Sequence, residues 1–172
     1  DSFKAAYYQH SIVAQDEGPG ISRKWFFTVD DTTPSTVFEI CPNAACVTLR
    51  SNTGNVRTGE WYHLAVTRSG NTFTFYRNGA FDGTATSSTA IPNFAAGLTI
   101  GFAEEDYFNG TLDEVAIWNI SLSSEIIAKH SGYGIDRSIY GNNATLMNGS
   151  VINFTNAKFG EAMQFDGRGD FI

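Results

Sequence analysis

The sequence predicts an all-β fold, two antiparallel sheets packed face to face as a sandwich, with one short helix. Three observations carry this reading. Short runs rich in Val, Ile, Phe, Tyr and Thr recur along the chain, separated by Gly, Asn, Asp and Pro. Alternation is readable within them: in TFTFYRNG, Phe73 and Phe75 fall on one face, Thr74 and Tyr76 on the other. Strands with one apolar face cannot stay as an open ladder in water, so a second sheet must cover the first.

In chain order, the strand candidates begin with SIVAQ, KWFFTVD, STVFEI and CVTLRS. WYHLAVTRS and TFTFYRNG follow, and Asn78-Gly79 predicts a tight turn into the weaker strand AFDGTAT, because both residues tolerate the left-handed region. LTIGFA and TLDEVAIWN complete the main series. SLSSEIIAKH is the one convincing helix. Ser123 can cap its amide end, Glu125 sits in the first turn and Gly132 stops it. Ile126 and Ile127 offer it a short apolar edge against the sandwich. Past Gly132 the texture turns loop-rich, with strand material again at 151–154, 162–165 and 171–172. The expected division is therefore 1–132 for the main sandwich and 133–172 for a strand-bearing tail. That tail is too short for a sandwich of its own and completes this one or a neighbour's.

Charge narrows the partners. Eleven Lys and Arg against 18 Asp and Glu give a net charge of -7, and no basic run exists to neutralise phosphates. Nucleic acid is excluded as a main partner. No segment approaches the roughly 20 apolar residues of a membrane span, so direct membrane insertion is not expected. No signal peptide is visible either; any export signal is expected to have been removed or to lie outside this sequence.

Cys41 and Cys46 flank PNAA. A disulfide would pin this loop and favour an oxidising compartment. Two free thiols at a hairpin tip and a metal site are the alternatives, the last the weakest because no histidine stands near. Five Asn-X-Ser/Thr triplets, at Asn109, Asn119, Asn143, Asn148 and Asn153, are glycosylation acceptors if the chain meets a transferase. Their number favours an extracellular chain.

No catalytic constellation emerges. Asp113 and Glu114 are adjacent, so a regular strand sends them to opposite faces, which does not suit a glycosidase pair. Glu104, Glu105 and Asp106 stand beside a glycine turn and read as a solvent loop. His10, His63 and His130 are scattered among serines without a nucleophile elbow. His63 reads as a sheet-boundary residue and His130 as a helix-terminal one. RGD at 168–170 reads as ordinary turn residues within FDGRGD. The chain is not expected to be an enzyme.

GEWYHLAVTRSGNTFTFYRNG, through Trp61, Tyr62, His63, Val66 and Asn78-Gly79, together with FNGTLDEVAIWNISLSSEI, resembles the laminin-G-like jelly-roll family of concanavalin A-like sandwiches. In the second segment the matching positions are Phe108, Gly110, Asp113, Glu114, Val115, Trp118, Leu122, Ser123 and Glu125. The tail, through Asp136, Gly141, Asn142, Asn148-Gly149, Gly160, Phe165, Asp166, Gly167 and Asp170, resembles the beginning of such a domain. The family's amino-terminal pattern would thus stand at this chain's carboxyl end. Circular permutation, a fragment straddling two tandem domains, or tail strands passed to a neighbour would each produce that order.

The resemblance implies a calcium ion between an early loop and the closing strand, which on this sequence would be held by Asp113, Asp136 and Asn142 with backbone oxygens. Asx-turn bonding is the plain alternative for Asp136, and a sheet-edge hydrogen bond for Asp113. Two uses are expected. One is a noncatalytic extracellular module that assembles with like subunits or neighbouring domains of a repetitive surface protein, by strand exchange. The other is calcium-dependent glycan binding, with Tyr7, Tyr8, Trp25, Tyr76 and Tyr107 as the aromatics that could stack on sugars.

Overall fold

The computed structural model describes residues 10–18, 23–30, 33–54, 56–104 and 106–132, with two further strands at Val151–Asn153 and Ala162–Gln164. Two antiparallel sheets and one short helix form the all-β sandwich expected from the alternation.

The larger sheet is built from β1 (Ser11–Asp16), β2 (Lys24–Val29), β3 (Thr36–Cys41), β4 (Val47–Arg50) and β8 (Leu98–Ile100), in the spatial order β4-β3-β2-β1-β8. The smaller sheet is a meander of β5 (Leu64–Ser69), β6 (Thr72–Arg77) and β7 (Ala80–Thr86). Its two connections are two-residue hairpins. Gly70 has a positive φ at the first, and Asn78 (50°) and Gly79 (76°) at the second, so the backbone twist of each turn matches its strands. Short strands β9 (Phe102–Ala103) and β10 (Asp106–Tyr107) pair with each other, as do β11 (Val151–Asn153) and β12 (Ala162–Gln164).

The core sits between the sheets. Val13, Phe27, Phe38, Ile40 and Leu49 from the five-stranded side meet Phe73 and Phe75 from β6, with Phe38 and Phe73 rings 5.6 Å apart. On β6 the faces divide as the alternation requires: Phe73 and Phe75 enter this core, while Tyr76 turns outward to pack with Leu122 and Ile127. Those last residues belong to α1 (Ser124–His130) and the chain leading into it. Ser123 Oγ accepts the Ile126 N–H, Glu125 and Lys129 complement the two helix ends, and Ile127 is buried while Ile126 stays half exposed.

The opposite face of the five-stranded sheet is also buried, and it carries charge. Strand register places Asp16 across from Lys24, Lys24 across from Cys41, Ala14 across from Phe26 and Phe26 across from Glu39. Ala14, Phe26 and Ala103 form an apolar cluster there. Cys41 and Cys46 are joined by a disulfide that closes the loop between β3 and β4.

One expected strand is absent. Residues 111–118 of TLDEVAIWN have no regular secondary structure. Glu114 takes a positive φ of 48°, and the Asp113 carboxylate accepts the Glu114 N–H at 2.8 Å. That local bond competes with a sheet ladder, and the segment pairs with no described strand. The expectation that Asp113 and Glu114 point to opposite faces of a strand is therefore corrected: both are exposed on an irregular segment.

Candidate functional site

The three-stranded sheet is narrower than the five-stranded sheet it covers, and an open cleft results along β5. Its floor is apolar, with Val13, Trp25, Phe27 and Phe38 from the larger sheet and Val66 and Phe73 from the smaller. Residues 56–63 and 108–122 form its walls. Trp61 and Trp118, 48% and 45% exposed, line the cleft from the two walls, with Ile117 and Ile120 close to Trp118 in sequence and also exposed.

Strand β5 shows why the cleft is open. Among the described residues it pairs only with β6, from Leu64↔Arg77 to Ser69↔Thr72. In a two-residue hairpin the pair flanking the turn is hydrogen-bonded on both sides, and bonded pairs then alternate with unbonded ones. Counting from Ser69↔Thr72, the bonded pairs reach His63, whose carbonyl indeed accepts the Asn78 N–H at 2.7 Å. Leu64, Val66 and Arg68 consequently direct their N–H and C=O groups outward, toward the cleft. At the other side, β8 pairs only with β1 among the described residues, and its Leu98 and Ile100 are exposed opposite Gln15 and Val13.

Polar groups gather at the cleft's helical end. His63 is held by the Asn78 turn, its N–H donating to Asn78 Oδ1 at 3.0 Å, and its Nδ1 is buried with no hydrogen-bond partner among the described residues. Burial pushes its imidazole below the usual histidine range, the nearby His130 adds to this, and Glu114 opposes it. His130, at the carboxyl end of α1, packs against Trp118 with ring centroids 5.1 Å apart.

The sequence-predicted sites fare unequally. Asp113 lines the cleft and is exposed, whereas Asp136 and Asn142 lie outside the described residues, so the geometry of that ligand set is not on view. Asn109 and Asn119 both line the cleft and are exposed; Asn143 and Asn148 lie outside the described residues, and Asn153 ends β11. Tyr7, Tyr8 and the RGD tripeptide also lie outside them. Of the named aromatics, Trp25 packs on the core and donates its Nε1–H to Gln15 at 3.2 Å, and Tyr76 is buried under α1; Tyr107 is exposed. Sequence reading passed over Trp61 and Trp118 as a pair, because they are far apart in the chain and only the fold brings both to the cleft. It also misplaced Glu104. That residue is not in a solvent loop: its side chain is mostly buried and pairs with Lys24. Among the described residues the one close trio of metal-type ligands is Glu39, Cys41 and Cys46, where the two sulfurs are already bonded to each other.

Residues 3–128 match the family model described as the concanavalin A-like lectin/glucanases superfamily, a laminin-G type domain. No curated protein matches. Among solved structures, an S-layer domain-containing protein (residues 221–444) from Clostridium thermocellum ATCC 27405 is similar, with 21% identity and a TM-score of 0.42. The alignment covers 76% of this chain and 66% of that one.

The family match starts near this chain's amino terminus and corrects the reading that put the family's amino-terminal pattern at the carboxyl end. The motifs behind that reading, FDG and Asn-Gly, are turn chemistry that any β-sandwich reuses. Among the described residues no helix is long and apolar enough to cross a membrane. Laminin-G-like domains of this family are generally noncatalytic structural and adhesion modules, and the domain is extracellular or at the cell surface, an oxidising setting in which the Cys41–Cys46 disulfide persists. The chain belongs to the concanavalin A-like lectin/glucanase superfamily, as a laminin-G-like jelly-roll domain.

Proposed function

We propose that this domain is a structural module of a surface protein and joins like subunits or neighbouring domains by taking a strand onto its open edge. The observation that carries the reading is β5. Leu64, Val66 and Arg68 offer outward backbone groups next to an apolar cleft floor, which is the template for β-strand addition. Residues 133–172 supply the incoming strand, either to their own sandwich or to a neighbour's. Light scattering of the full chain with amide exchange at β5 tests this. Protection of the Leu64 and Val66 amides that rises with protein concentration supports exchange between molecules. Concentration-independent protection supports completion within one chain. Rapid exchange of both amides at every concentration removes the strand-addition reading.

A second reading is favoured by Trp61 and Trp118, half-exposed indoles that both line the cleft, with Asn119 and Asp113 near Trp118 in sequence. Such rings can stack on sugar faces while amide and carboxylate groups read hydroxyls. Calcium held by Asp113, Asp136 and Asn142 would fix the wall that carries Trp118. Glycan-array binding before and after chelation tests it, with circular dichroism to separate loss of ligand from unfolding. No binding to any glycan in the calcium-loaded state rejects it.

A further inference from the structure

The buried charged face of the five-stranded sheet carries a reactive pair that the cleft does not use. Lys24 has no exposed side-chain surface, and its ammonium contacts the Glu104 carboxylate, itself mostly buried. Ala14, Phe26 and Ala103 form a buried apolar cluster on this face, Phe26 lying two residues along from Lys24 and Ala14 across from Phe26. Glu104 is held from two sides. Its backbone sits at a positive φ of 53°, rare for a residue with a side chain, and its N–H donates to Asp16 Oδ2 at 2.8 Å. Asp16 is also the cross-strand partner of Lys24, so its carboxylate holds the Glu104 backbone while its charge acts on the Lys24 ammonium; its Oδ1 accepts the Gly18 N–H at 3.0 Å. Glu39, 3% exposed, lies on the diagonal and accepts from Thr48 Oγ1 at 2.6 Å.

We propose that Lys24 and Glu104 condense spontaneously into an intramolecular isopeptide bond, with Asp16 as the proton carrier. A buried ion pair is poorly solvated, so the proton passes from the Lys24 ammonium to the Glu104 carboxylate and leaves a neutral amine against a neutral acid. Burial acts in that direction on Lys24, pushing it below the ordinary lysine range, while the charges of Asp16 and Glu39 oppose. The amine lone pair attacks Glu104 Cδ and forms the C–N bond. Asp16 takes one proton from the nitrogen and delivers it to the hydroxyl, and the C–O bond breaks as water departs. One ammonium and one carboxylate become one amide and one water; no oxidant, reductant or cofactor enters. Fixed contact between the two groups replaces a bimolecular encounter, the condition under which side-chain amines and acids react without activation. The bond would tie β2 to the turn between β9 and β10, fastening the edge of the sandwich next to β8.

Intact mass of the full chain, reduced and denatured, tests the proposal, followed by tryptic mapping. The expected result is a species lighter by one water and a branched peptide joining the Lys24 and Glu104 segments, with no cleavage after Lys24. Lys24→Met and Glu104→Ala should each restore the sequence mass. Glu104→Gln should still cross-link, losing ammonia instead of water and ending at the wild-type product mass. Asp16→Asn should slow the approach to that mass after refolding. A wild-type chain at its full sequence mass, cut normally after Lys24, overturns the proposal whatever the variants do. A water loss that maps to a succinimide at Asp82-Gly83 overturns it equally.

Discussion

Asp82 of β7 accepts the backbone N–H of Thr53 at 3.1 Å, and with it the Thr53 hydroxyl, although Thr53 follows β4 of the opposite sheet. The Asp82 carbonyl takes the Asn52 N–H at 2.7 Å as well. One nearly buried carboxylate thus fastens the chain leaving β4 to the edge of the three-stranded sheet. Asp82→Ala removes a nearly buried charged acceptor from the Thr53 N–H and hydroxyl and should cost about 1–3 kcal/mol of folding stability. Urea unfolding with an unchanged m-value is the check; a shift under about 0.5 kcal/mol would show that the tie is replaceable by water.

Gly79 combines two demands. Its φ is 76°, and a Cβ there would lie 2.6 Å from Ser131 Oγ and 3.0 Å from Ala128 Cα at the end of α1. Gly79→Ala should therefore destabilise by about 1–3 kcal/mol. Pairing it with Ser131→Gly removes the side-chain clash but not the backbone one, so only part of the loss should return on thermal unfolding.

Gln15 holds the loop before β8 through its whole amide. Nε2 donates to Asn93 Oδ1, Phe94 O and Ala96 O at 3.0, 2.9 and 2.9 Å, while Oε1 accepts from Phe94 N and Trp25 Nε1. Gln15→Leu leaves these groups without partners and should cost on the order of 2–4 kcal/mol. Amide exchange at Phe94 should speed up more than exchange at Phe75, because the damage is local to the loop.

His63 contributes a pH dependence whose sign follows from its burial. Its folded pKa is depressed, so the unfolded chain binds the proton more readily. The contribution is fully present above the unfolded value of about 6.5 and is lost progressively as pH falls through it toward the folded one. Stability of the native chain should drop faster than that of His63→Gln on acidification from neutral pH. Parallel curves for the two proteins would show that the imidazole is protonated in the folded state without cost.

Local features were readable before any coordinates. Asn78-Gly79 predicted its hairpin because left-handed tolerance belongs to those two residues alone, and Ser123 predicted its helix cap because the donor it satisfies lies three residues on. Alternation in β6 assigned Phe73, Phe75 and Tyr76 to their faces. The same logic misled at TLDEVAIWN. Its pattern is that of a strand, but a strand exists only where a neighbour supplies a ladder, and Asp113 instead bonds the Glu114 amide.

The residues alone determined the class of fold: β-branched and aromatic runs, spaced by turn residues, must be paired and then covered. Which side chains share an environment was decided by register and sheet order alone. Trp61 and Trp118 meet a common cleft because β5 ends the smaller sheet, and Glu104 meets Lys24 because β9 packs against β1, with Ala103 against Ala14 and Phe26. Periodicity reports which face a residue takes on its own strand. Burial and charge pairing depend on what another strand brings to that face, and this is a property of the assembled sheets.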